Sequence, residues 1–176
     1  MKHLLFLPAV LLSLSVVFAA DSTTAAPQLS AEAFAQKIAM VDLLEIKLGG
    51  VAQKNASLDS VKTFGVHMVE SHTEINEMLT KAATKSGITI PIKLDAPSEA
   101  TLLKLSGLSG ATFDKTYIPA MVTGHTEVLA VVKSFAASST DPEMKKFAEK
   151  LTPIIAHHLA MAEKVQAQMK KDGLLP

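Results

Sequence analysis

The chain has 176 residues, enough for one domain of ordinary size, with 17 basic and 17 acidic side chains. Every basic residue is lysine, aromatics make up 5%, and tryptophan and cysteine are absent. This composition excludes disulfides, thiolate metal sites and a cysteine nucleophile, and it leaves no basic field, arginine fork or stacking platform for nucleic acid.

Residues 1–20 read as a secretory signal. Lys2 supplies a positive start, an apolar run extends from Leu4 to Phe18, and Ala19-Ala20 offers a small-residue cleavage site. The run is short for a bilayer span. The expected outcome is cleavage that leaves Ala20 or Asp21 at the mature N-terminus and exports the rest to the periplasm or cell envelope. No later stretch is apolar enough to span, so no transmembrane segment is expected after cleavage. Residues 21–29, with Pro27 among small side chains, read as a linker to a domain over 30–172.

The domain reads as all-α. A first helix is expected over 31–55, with Ser30 as N-cap. At about 100° per residue, Phe34, Ile38, Val41, Leu48 and Ala52 share a stripe with Glu45 at its centre. Gly49-Gly50 weakens this helix locally and offers a neighbour close approach. A second helix starts near 57–59 and ends at Gly87, a suitable C′ residue. Its stripe is Val61, Phe64, Met68, Ile75 and Leu79, with His72 in the middle. A long connection over 88–110 follows. Pro91 and Pro97 favour extended backbone at its start, and a short helix, SEATLLKLSG, completes it. It is long enough to return the chain along a bundle.

A third long helix is expected over 111–137, placing Asp114, Tyr117, Met121, Val128, Val132 and Phe135 on a stripe with His125; Pro119 should kink or fray its first turns. The fourth begins at Asp141-Pro142, an N-cap followed by Pro at N1, and runs to about 171. Its stripe is Phe147, Leu151, Ile154, Val165 and Met169 with His158, and Pro153 lies inside it. The expected architecture is a four-helix bundle with a long crossover containing a short extra helix.

The helix midpoints fall near residues 43, 72, 124 and 156, so Glu45, His72, His125 and His158 should share one layer of an antiparallel bundle. Three imidazoles and a carboxylate suit one first-row transition-metal ion, such as Zn, Cu or Fe. Met68, Met121 and Met161 flank the histidines at i−4, i−4 and i+3, where thioethers would favour copper; as core fillers they need no metal. Equally, Glu45 and the histidines can form a metal-free hydrogen-bonded layer. His67, Glu70 and His157 are expected on the solvated surface. No phosphate loop, nucleophile elbow or Ser/His/Asp arrangement marks a catalytic residue.

The segments FAQKIAMVDLLEIKLGGVAQKNAS, VKTFGVHMVESH, SGATFDKTYIPAMVTGH and LTPIIAHHLAMAE together resemble successive motifs of a bacterial exported family, domain of unknown function 4142, whose members are often labelled outer-membrane proteins. The resemblance spans about 34–165. It implies a ferritin-like four-helix bundle and family-type positions at Glu45, Met68, His72, Phe113, Asp114, Tyr117, His125, Pro153 and His158. The chain departs from the family pattern at Glu70-Ser71, where an Asp is usual, and at Pro119. Ferritin-like di-iron proteins use Glu-x-x-His on two helices. Here the residues three before His72 and His158 are Val69 and Ile155, so a di-iron oxidase is disfavoured. The expected function is an exported bundle that binds one metal ion for storage, buffering or sensing. The alternative is a non-catalytic structural or stress-related envelope protein whose Glu/His layer holds no metal.

Overall fold

The computed structural model describes residues 29–176. The signal segment and nearly all of the linker lie outside them. Five helices follow in order: α1 (Ala31–Asn55), α2 (Asp59–Lys85), α3 (Ala96–Ser106), α4 (Gly110–Ser138) and α5 (Pro142–Lys171). No strand occurs among the described residues.

Local chemistry sets most helix starts. The Ser30 hydroxyl accepts from the Ala33 N–H, Asp95 accepts from the Ser98 N–H, and Asp141 accepts from the Met144 N–H with Pro142 beside it. The start of α2 is capped from another helix. Leu58 at its N-cap has no side-chain acceptor. Buried Asp114 of α4 instead takes the backbone N–H groups of Ser57 and Leu58 and the Ser57 hydroxyl. An acid at this motif position thus serves as a cap across helices, satisfying donors that α2 cannot satisfy itself.

The direction of each helix follows from contacts at the two ends of the bundle. Phe34, near the start of α1, stacks on Phe135, near the end of α4, with ring centroids 3.8 Å apart. At the other end Ala56 bridges Gly110, and the Asn55 side chain donates to the carbonyls of Ser106 and Leu108. Hence α1 and α4 are antiparallel. Lys85 and Ser86, closing α2, meet Glu143 and Asp141, opening α5, so α2 and α5 are antiparallel too. It follows that α2 and α4 run in the same direction, and the 88–109 connection returns along α1, against which α3 packs. This is the ferritin-like bundle with the expected crossover. Both α4 and α5 continue through their internal prolines.

Gly49 and Gly65 bring α1 and α2 together. A Cβ on Gly49 would lie 2.6 Å from the Gly65 carbonyl oxygen, and one on Gly65 would lie 2.7 Å from the Ala52 Cβ. Gly50 meets nothing within 4 Å. Of the two glycines that invite close approach in the sequence, only Gly49 is used, and its counterpart is Gly65.

The apolar interior forms two clusters. One contains Phe34, Ile75, Leu79, Val132 and Leu151; the other contains Leu48, Phe64, Met68, Tyr117 and Met121. Between them lies a buried polar layer. Four stripe positions differ from the expected pattern: Val165 is only half-buried, and the other three are slips along a helix. Asp42, Leu129 and Ile155 are buried where Val41, Val128 and Ile154 were expected, and those three are only half-buried. Each is a slip to the adjacent residue, about 100° of helix rotation. In α1 the slip followed from assigning the stripe to the apolar neighbour of an acid.

A candidate metal centre at mid-height

His72 comes from α2, His125 from α4 and His158 from α5, at exposures of 0%, 3% and 0%. Each offers a ligand nitrogen, and these atoms all lie within 4.8 Å of one another. One nitrogen of each ring has a hydrogen-bond partner. His125 Nδ1 donates to the Met121 carbonyl at 2.8 Å, which leaves a lone pair on Nε2 of the neutral ring. His72 Nδ1 contacts the Asp42 carboxyl at 2.8 Å, and His158 Nε2 contacts the Ser71 hydroxyl at 2.8 Å. The atoms without a partner are His72 Nε2, His125 Nε2 and His158 Nδ1. Such outer hydrogen bonds fix ring orientation and tautomer for a ligating imidazole.

Asp42 was not anticipated from the sequence. It is one turn before Glu45 and 1% exposed, and its Oδ2 has no partner. A buried acid three residues from another on the same face was the available signal. Glu45 is buried, but it is not among the converging ligands and is not the carboxylate paired with His72. It lines, with Leu44, His72, Gly124, His125 and Ile155, a cavity of about 210 Å³ between α1 and α4. Its Oε2 and the Tyr117 hydroxyl are also buried without partners.

Met68 and Met121 are buried in the cluster on one side of the layer, and half-buried Met161 packs against the same cluster, so the three thioethers do share a side. His67 was expected in solvent. It is half-buried instead, with its ring 5.3 Å from that of His158 and 5.8 Å from that of exposed His157. Glu70 is exposed, as expected.

Electrostatics keep the imidazoles uncharged. Burial, followed by the neighbouring rings, pushes His158 down to about 2 and His125 down to about 4. Burial also lowers His72 and raises Asp42, and it raises Glu45 to about 7 against the opposing pull of His72. Neutral imidazole is the metal-binding form.

These shifts give the metal-free protein an expected acid profile. Below pH 6.5 the unfolded chain protonates histidines that the fold keeps neutral. It then binds more protons than the native state, and stability falls as pH falls. Glu45 and Asp42 act the other way, because the fold holds their protons at pH values where the unfolded chain has released them. Three imidazoles oppose two carboxyls, so a net loss of stability remains as pH falls below about 6.5. Below about pH 4 the carboxyls are largely protonated in both states, and each imidazole still neutral in the fold costs roughly 1.4 kcal/mol per pH unit. Urea unfolding at pH 7, 5.5 and 4 should show a modest loss between the first two values and a marked loss at the third.

The fold and this layer define a class: ferritin-like bundles with a buried three-histidine cluster in place of paired Glu-x-x-His motifs. The family model described as domain of unknown function (DUF4142) matches residues 18–165, and the chain belongs to that family. Among solved structures it is similar to a Streptomyces coelicolor protein of the DUF305 group, described as secreted. The TM-score is 0.64 at 14% identity, with 79% of this chain and 93% of that one covered. No curated protein matches the chain. No described helix is long and apolar enough to cross a membrane.

Proposed function

We propose that the protein is an exported bundle that holds one transition-metal ion on His72, His125 and His158, for storage, buffering or sensing. The observation that carries this reading is that three buried histidines each offer a ligand nitrogen, all within 4.8 Å of one another, while each ring has one nitrogen hydrogen-bonded and the other without a partner. A self-sufficient polar network would pair those atoms with one another, because an unpaired buried acceptor costs about 1–3 kcal/mol. A cation satisfies all three at once. Its charge would also be balanced by Asp42 through His72 and by Glu45 in the adjoining cavity. Three imidazoles leave a fourth position for a water, for Glu45 or for a thioether of Met68, Met121 or Met161. Export is supported by the signal pattern of residues 1–20 and agrees with a structural relative described as secreted.

The test is titration of chelator-stripped mature protein with Zn²⁺, Cu²⁺ and Fe²⁺, following stoichiometry and thermal unfolding. About one ion per chain should bind. At a hundredfold excess over Kd it should stabilise the fold by about 2.7 kcal/mol, raising Tm by roughly 5–10 °C. No shift with any of the three would leave the layer as a metal-free structural feature.

A further inference from the structure

His67 and His157 have no place in the three-histidine cluster, yet they extend it to the surface. The His67 ring stands between exposed His157 and fully buried His158, at 5.8 and 5.3 Å between centroids and nearly perpendicular to both. Its Nε2 is buried without a partner, although the residue as a whole is only half-buried. The His158 ring in turn lies 5.1 Å from that of His72 and 5.6 Å from that of His125. Five imidazoles therefore form an unbroken series from solvent to the bundle axis, all on α2, α4 and α5. The 210 Å³ cavity lies on a different side, between α1 and α4, and its lining carries Lys37 with two acids, Glu45 and Glu127.

We infer that His157 and His67 are a capture and transfer station that loads a divalent cation into the inner cluster. This rests on the metal reading of that cluster. The step is ligand exchange without change of oxidation state: a bond from the cation to His67 breaks as one to His158 forms. A cation held on His67 meets the inner rings at the effective concentration of a tethered group rather than at its bulk concentration. Two ligands bind weakly and three bind more tightly, so the direction of transfer is inward.

Stopped-flow mixing of chelator-stripped protein with Co²⁺ reads the rate, and equilibrium titration with the same ion reads the affinity. His157→Ala alters only an exposed side chain, and His67→Gln keeps much of the ring's volume. Both variants are expected to load more slowly, by on the order of tenfold, and to release Co²⁺ to a chelator more slowly by a similar factor, with the final affinity unchanged. Wild-type loading rates in both variants would overturn the station. Weakened affinity at an unchanged loading rate would also overturn it, making His67 a ligand rather than a conduit. If the wild-type protein takes up no Co²⁺, Zn²⁺ or Cu²⁺, the inner site fails and the station with it; uptake by the wild type with indifferent variants removes the station alone.

Discussion

His158→Ala should lower metal affinity by on the order of a hundredfold or more while the far-ultraviolet circular dichroism stays that of an intact bundle. The magnitude follows from the donor count. Loss of a partner outside the coordination sphere already costs about 10–100-fold, and His158 supplies one of the three converging nitrogens among the described residues. Asp42→Asn supplies the comparison. It keeps the size of the side chain and replaces the carboxyl that contacts Nδ1 of His72 at 2.8 Å. It should fall within that 10–100-fold range. Equal binding by His158→Ala and the parent protein in isothermal titration would remove the imidazole from the site. Equal binding by Asp42→Asn would reduce the acid to a neutral hydrogen-bond partner.

Gly65→Ala should be strongly destabilising for a single added methyl. The added carbon would sit 2.7 Å from the Ala52 Cβ and 2.8 Å from the Gly49 carbonyl oxygen. Neither neighbour is a flexible side-chain end, so α1 and α2 must separate. Overpacking of this kind costs typically 1–3 kcal/mol and here should reach the upper part of that range, outweighing the roughly 1 kcal/mol that alanine adds as a helix former. Gly50→Ala shows the opposite balance, because nothing lies within 4 Å of its Cβ. It should raise stability by up to about 1 kcal/mol. Urea midpoints of the two variants should move in opposite directions from the parent. Two shifts of the same sign would mean that the helices do not meet at this glycine pair.

The helices were legible because each signal is local: apolar period, caps at Ser30 and Asp141, and stops at Gly87 and Gly173. The crossover was legible from its length alone. The layer was legible at His72, His125 and His158 because each interrupts an apolar stripe near a helix midpoint. Asp42 escaped because a hydrophobic pattern favours Val41, its neighbour, and only the pairing with a histidine on α2 repays burial of the acid. His67 escaped for a related reason. Its position at the edge of α2 becomes interior only when α5 lies across it, and no periodicity within α2 encodes that. The cap that Asp114 provides to α2 joins positions 56 residues apart, which no local motif could signal.

The division of the interior into two apolar clusters with histidines between them bears on how cooperatively the chain unfolds. In the metal-free protein, the plane at mid-height is held across helices by the His72–Asp42 and His158–Ser71 contacts, while its central nitrogens have no partners. The cluster around Phe34 and Leu151 and the cluster around Phe64 and Tyr117 are joined by those two contacts and by the helices that thread both. Opening of one end need not carry the other with it, so the bundle has a built-in boundary between two sub-global opening units. An ion bound at that boundary would tie α2, α4 and α5 together at one height. The same layer would then change from the seam between the two units into the element that fuses them.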